Sequence, residues 1–223
     1  MPVLSPAYDN KIARKYSART IEHKMENKTA LQEELHWVAE PKQPVVCIAT
    51  GMTDTLGGAL MEQVMEGLLE LPISIVIRGR GSKKYGEYFT QLQKNHSHRI
   101  AIVQDDDDHL RSMLAGSDIA MFFAEPESGD LENALRYGAV PVSLPNVLLE
   151  NYNPVQESGN AFVYEQGNPW LCFGSLVRAL ETFKFPYDWK TIQKNAIESM
   201  DRRTAASRSS SSSSAASLKL RSA

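Results

Sequence analysis

A doubly wound, parallel α/β sheet of the Rossmann-like type is the fold class this sequence predicts, on three observations. Short, unbroken apolar runs rich in β-branched residues recur at 45–50, 73–79, 99–104, 119–124 and 140–144, the signature of strands buried on both faces. Between them lie segments with helical spacing of apolar residues. Strands alternating with helices join through crossovers, which places helices on both faces of a parallel sheet. Ligands of such sheets bind at the carboxyl ends of the strands. The loops after Thr50, Ile77, Val103 and Ala124 are therefore where function is sought.

The elements follow in order. Residues 1–40 read as a lead-in segment and a helix, with Ile21, Met25, Leu31 and Leu35 spaced among Glu, Lys and Gln, broken by the Pro-containing stretch 39–44. Residues 41–200 form the sheet domain. In it the helix at 57–70 turns Leu60, Val64, Gly67 and Leu68 to one face, and the polar helix at 83–95 carries Tyr85, Tyr88, Phe89 and Leu92. The helix at 105–118 opens with four aspartates, which suit the free N–H groups and dipole of a helix N-terminus. Contiguous aspartates there point in diverging directions, so metal binding is not expected of them. The helix at 129–138 ends at Gly138, a residue type favoured just past a helix. A short strand at 161–165 and helices at 169–184 and 189–200 complete the domain. Residues 201–223, with serines from 209 to 214, predict a disordered tail, because they cannot bury enough apolar surface to order themselves.

Composition narrows the function classes. Twenty-four Lys and Arg against 27 Asp and Glu give a net charge of −3, with the basic residues scattered, which argues against nucleic-acid binding. No apolar run approaches the roughly 20 residues of a membrane span. The N-terminus lacks a signal-peptide pattern, so a cytoplasmic protein is expected. Cys47 and Cys172 lie in apolar stretches and read as free buried thiols. No Ser-His-Asp arrangement, zinc-ligand spacing or P-loop occurs, and neither a metal nor a cofactor is expected.

Five stretches together carry a resemblance. KYSARTIEHKMENKTALQEEL (15–35) holds Tyr-Ser, then Lys-x-x-Asn-Lys and Leu-Gln. IRGRGSKKYGEYFTQL (77–92) is a strand followed by a Gly-x-Gly turn and helix. RIAIVQ with HLRSMLAGSDIAMFF spans 99–123. EP with LRYGAVPV spans 125–142, and AFVYEQGNPWLCFGSLVRALE spans 161–181. In this order the series resembles the C-terminal domain of bacterial glycogen synthases and plant starch synthases, over about residues 8–200; the block with Glu-Pro and Tyr-Gly-x-x-Pro is the most specific. The resemblance implies one half of a two-domain GT-B glycosyltransferase. It also implies a reaction, transfer of glucose from ADP-glucose to an α-1,4-glucan, and a cytoplasmic or plastid setting. The family's other domain, with its Lys-x-Gly-Gly-Leu loop, has no counterpart in these residues.

The resemblance assigns candidate site residues and also marks departures. The family's metal-free members neutralise the departing diphosphate with an Arg and a Lys after the first strand of this domain. Those positions fall here on Gly51 and Leu56, neither of which stabilises an oxyanion. Losing one such donor typically costs about 10²–10³ in rate. Gly57 matches the family's following glycine, and Gly57 and Gly58 either offer N–H groups to a phosphate or permit a tight turn. The sugar-facing carboxylate falls on Glu125 by its dipeptide and its distance to Gly138, or on Glu127 counting forward from Asp118; Glu125 is preferred. Glu127, Ser128, Gly129 and Asp130 stand where the family has Cys-Gly-Leu-Thr at the diphosphate, and an added carboxylate there is repulsive. The family's Thr-Gly-Gly after the next strand is replaced by Pro145, Asn146, Val147 and Leu148. Arg78 and Arg80 follow the second strand at the correct edge and are the candidate compensating cations, or else solvated loop charges. Tyr137 reads as packing behind the site.

Two readings follow. One is a glycogen- or starch-synthase-like glucosyltransferase domain, inactive as an isolated chain, with ADP-glucose and α-glucan as its ligands and an N-terminal synthase domain as its partner. The other is a non-catalytic degenerate relative that binds glucan, nucleotide or a synthase subunit. Surfaces near Trp37, Trp189 and residues 183–187, covered in a two-domain enzyme, are expected to be exposed and to favour self-association.

Overall fold

The computed structural model describes residues 4–219. Six parallel strands form one sheet: β1 (Val45–Ile48), β2 (Ser74–Arg78), β3 (Ile100–Val103), β4 (Ile119–Met121), β5 (Val140–Ser143) and β6 (Phe162–Val163). Their order is β3-β2-β1-β4-β5-β6, the doubly wound order in which the chain reverses direction across the sheet between β1 and β4. Register is set by the pairings Val46↔Ile75, Val46↔Ile119 and Ile75↔Ile100.

The helices are α1 (Lys24–Glu34), α2 (Gly58–Leu69), α3 (Lys83–Asn95), α4 (Asp107–Gly116), α5 (Ser128–Arg136), α6 (Pro169–Phe183) and α7 (Pro186–Lys219). Alternate strand residues feed two cores. Val46 and Ile48 pack with α2, α3 and α6 through Met61, Val64, Phe89 and Leu176. Val45 and Cys47 face the other way, towards α1, α4, α5 and α7 through Leu31, Met113, Leu135 and Ile197. Burial on both faces is why the strands read as continuous apolar runs rather than alternating ones. The two thiols lie in opposite cores, free and buried, and burial raises each pKa to about 11.

Several boundaries differ from the sequence reading. The first helical stretch is split. Ala18–His23 is a 3-10 turn with a non-helical Thr20, capped by Ser17, and α1 begins only at Lys24. The last helix begins at Pro186 and its backbone continues to Lys219, past residue 201, where composition predicts an unstructured tail. Ile192, Ala196, Ile197 and Met200 anchor its first turns in the core, and extending an existing helix is far easier than starting one. Trp37 and Trp189 are both buried, not surface residues. The Trp37 indole donates to the Ser97 carbonyl at 3.0 Å, and Trp189 packs edge-on against Phe183. Of the stretch expected to be exposed, Lys184, Phe185, Pro186 and Tyr187 are, while Phe183 is half-buried.

The Lys-x-x-Asn-Lys pattern has a structural job. Lys24 donates to the carbonyls of Leu114, Ala115 and Tyr137 at 2.8–2.9 Å, joining the C-terminal ends of α4 and α5. Asn27 donates to the Arg14 carbonyl and accepts from the Arg14 amide. Lys28 forms a buried ion pair with Asp118 at 2.7 Å and donates to the Pro41 carbonyl. Gln32 exchanges two hydrogen bonds with the Glu40 backbone. This segment therefore clamps the lead-in to the N-terminal edge of the sheet, away from the strand ends where ligands bind. Tyr137 is buried as expected, its hydroxyl donating to Asp9.

Candidate functional site

The loops after β1 and β4 meet at the carboxyl edge, where the strand order reverses. The β1 loop does not hang free. Met52 donates to the Arg80 carbonyl at 2.9 Å and accepts from the Ser82 amide at 3.0 Å, so residues 51–53 run on beside the loop after β2. Gly51 adopts φ +73°, and a Cβ built there would lie 2.2 Å from the Arg80 carbonyl oxygen. Any side chain at position 51 therefore meets both left-handed backbone strain and a backbone clash. Leu56 is half-buried and packs against the core.

Gly57 sits at φ +87° as the residue preceding α2, and a Cβ there would fall 2.3 Å from the Phe123 carbonyl oxygen. A Cβ on Gly58 would strike the Tyr85 hydroxyl. The Gly57 and Gly58 amides donate inside the loop, to the carbonyls of Asp54 at 3.2 Å and Thr53 at 3.1 Å. Of the two roles open to these glycines, the geometry gives them the tight turn and close packing. Both N–H groups are engaged within the loop.

Arg78 ends β2 at the correct edge, yet its charge is already matched. Its Nε donates to Asp105 at 2.6 Å, and its Nη1 lies 4.0 Å from Asp130 and 3.5 Å from the Ala49 carbonyl. Arg80 is exposed. Burial holds the Asp130 carboxyl above the usual carboxylate range. Arg78 and Arg80 pull it back down, while Glu127 and Asp105 add to the rise. Two arginines thus share their field with three carboxylates, Asp105, Glu127 and Asp130. A cavity of about 330 Å³ opens beside this pair, lined by Arg78, Gly79, Arg80, Ser82, Lys83 and Tyr85.

Glu125 and Glu127 are both exposed on either side of the buried Pro126. Glu127 is the residue before α5, and Ser128 and Gly129 are its first two positions. That helix start has the N–H groups an anion needs. It is flanked, however, by the carboxylates of Glu127 and Asp130. The four-aspartate run divides its labour. Asp105 turns back to Arg78, and Asp106 caps α4 by accepting from the His109 amide at 2.9 Å. Asp108 pairs with Lys11 at 2.8 Å. Among the described residues no group of three or more His, Cys, Asp or Glu is placed to hold a metal ion, and no helix is long and apolar enough to cross a membrane.

Asp105 is the site residue that sequence reasoning misses. Its signal is present only through register: Arg78 pairs with Val103, so the residue two beyond β3 falls beside the guanidinium.

Comparison with protein-family models finds none that matches. Among curated proteins, the chain is 28% identical over 203 residues to glycogen synthase 1 of Synechocystis, covering 87% of this chain and 43% of that protein. It is 31% identical over 201 residues to the glycogen synthase of Fervidobacterium nodosum, covering 86% of this chain and 41% of that protein. The chain therefore spans about two-fifths of the length of these relatives. Among solved structures, the catalytic domain of starch synthase IV from Arabidopsis thaliana, bound to ADP and acarbose, superposes with a TM-score of 0.73. It is 20% identical and covers 93% of this chain and 47% of that one. The C-terminal domain of a group 1 glycosyltransferase from Francisella tularensis superposes at 0.60, with 12% identity, over 80% of this chain and 93% of that one. Sequence relatives and architecture agree: this chain is similar to glycogen synthases over about two-fifths of their length, and it shares its fold with the catalytic domain of starch synthase IV.

Proposed function

We propose that this chain is a glucosyltransferase domain of the glycogen- and starch-synthase type that is inactive on its own. The reaction of the complete enzyme would be transfer of glucose from ADP-glucose to an α-1,4-glucan, in the cytoplasm. Glu125 would face the sugar hydroxyls, and the start of α5 at Ser128 and Gly129 would face the diphosphate. An N-terminal synthase domain would close the crevice and supply the acceptor side.

The observation that carries the inactivity is the charge state of the donor crevice. Transfer from a nucleotide sugar requires fixed positive charge where the diphosphate departs. Position 51 has no room for an arginine, Leu56 is half-buried against the core, and Arg78 is held by Asp105 and Asp130. The first arginine candidate for compensation is thus spent on internal carboxylates, and Arg80 alone faces outward.

The test is incorporation of labelled glucose from ADP-glucose into glycogen. The chain alone is expected to give no incorporation above background, both by itself and when mixed with the separately produced N-terminal half of a relative. Robust turnover by the isolated chain would sink the proposal.

A further inference from the structure

We propose that this domain carries a second ligand site, for a small amphiphilic organic anion, in the cavity at the amino-terminal edge of the sheet. The cavity measures about 700 Å³ and lies between α1, the end of α6 and the start of α7, beside Asp118 where β4 begins. Its size suits a small organic molecule, since such pockets run about 300–1,000 Å³. It lies at the opposite end of the strands from the crevice of Arg78 and Glu125, so it is not part of that site.

The chemistry of its walls selects the ligand. The apolar lining includes Ile21, Met25, Phe183 and Trp189. Five lysines line it as well: Lys24, Lys28, Lys42, Lys184 and Lys190. Against them stand two lining carboxylates, Asp118 and the exposed Glu22. Two of the lysines are deeply buried, Lys24 at 4% exposure and Lys28 at 2%, yet Asp118 is the one buried carboxylate between them. Lys28 takes that partner and also lies over the Phe183 ring. Lys24 spends its three protons on the Leu114, Ala115 and Tyr137 carbonyls at 2.8–2.9 Å, with the Tyr16 hydroxyl at 3.5 Å, and is satisfied within the fold. Burial lowers the Lys24 pKa to about 7, with Asp118 raising it and Lys28 lowering it again. At the rim, Lys184 pairs with Glu181, while Lys42 and Lys190 make no ion pair among the described residues. The positive charge without an ion pair at this cavity is that of Lys42 and Lys190 on its exposed rim, and an anion with an apolar body meets the rim charge and the apolar wall at once.

The experiment titrates the full chain with 8-anilinonaphthalene-1-sulfonate, an aromatic sulfonate of this chemistry, and follows dye fluorescence. The expected result is saturation at one equivalent. Affinity should fall at least fivefold in the rim variant Lys42→Glu/Lys190→Glu, whose fold is verified by circular dichroism, and stay unchanged in Glu125→Ala. N-Phenyl-1-naphthylamine, the uncharged analogue, should bind at least fivefold more weakly. Several equivalents bound, equal affinity for the uncharged dye, or an unchanged rim variant would overturn the proposal. So would a concentration-dependent dimer that the dye dissociates, which would assign the cavity to a second copy of this chain.

Discussion

Asp118→Ala is expected to destabilise the domain by about 3–5 kcal/mol, the cost typical of leaving one member of a buried ion pair without its partner. Asp118 is buried and does two things with one carboxylate. It holds the Lys28 ammonium at 2.7 Å and accepts from the Val45 amide at 2.8 Å, at the first residue of β1. Its own backbone also spans two strand starts, donating to the Val45 carbonyl and accepting from the Val140 amide. Removing the side chain orphans both a charge and a strand N–H. Asp118→Asn keeps an acceptor for Val45 and should lose less. Adding Lys28→Met to Asp118→Asn removes the stranded ammonium and should recover part of the loss. Urea unfolding midpoints of the three variants read this directly; equal midpoints for Asp118→Ala and the unmodified chain would show that the pair contributes nothing.

The second large effect concerns an attempt to repair the donor crevice. Gly51→Arg places a cation where the resemblance puts the family's arginine, yet it is expected to destabilise the domain by at least about 2 kcal/mol and to gain no nucleotide binding. The backbone there is left-handed, and the new Cβ would lie 2.2 Å from the Arg80 carbonyl oxygen. The loop would have to release its hydrogen bonds between Met52 and residues 80–82 to accept it. Thermal unfolding together with an ADP titration checks both parts. A Gly51→Arg protein of undiminished stability that binds ADP would mean the loop relaxes easily and that the glycine alone separates this chain from a working site.

Much of the architecture is legible because burial on both faces writes itself into sequence as uninterrupted runs such as VVCIA and ISIVI, and because helices announce their starts. The acidic run at 105–108 marks the start of α4, and the Asp106 side chain does accept from the His109 amide. The site is less legible, for a physical reason. Which carboxylate neutralises Arg78 depends on the register of β2 against β3, and the run of four aspartates hides Asp105 among three neighbours with other surroundings. The engaged amides of Gly57 and Gly58 likewise depend on how the loop closes on itself, which the residue types allow but do not dictate. The tryptophans mislead because the two-domain resemblance reads their surroundings as a face covered by another domain, whereas Trp37 reaches the Ser97 carbonyl within this fold. The Lys-x-x-Asn-Lys pattern is readable as a family feature, while its role as a clamp on the sheet's amino-terminal edge needs the structure.

The central claim is that the glycosyltransferase architecture persists here while the donor crevice has spent its own charge. Calorimetric titration of the purified chain with ADP and with ADP-glucose, with Glu125→Ala as control, tests it most directly. The account predicts no saturable heat up to millimolar nucleotide in either protein. Micromolar binding that disappears in Glu125→Ala would contradict it, showing a donor site still intact despite Gly51, Leu56 and the carboxylates around Arg78.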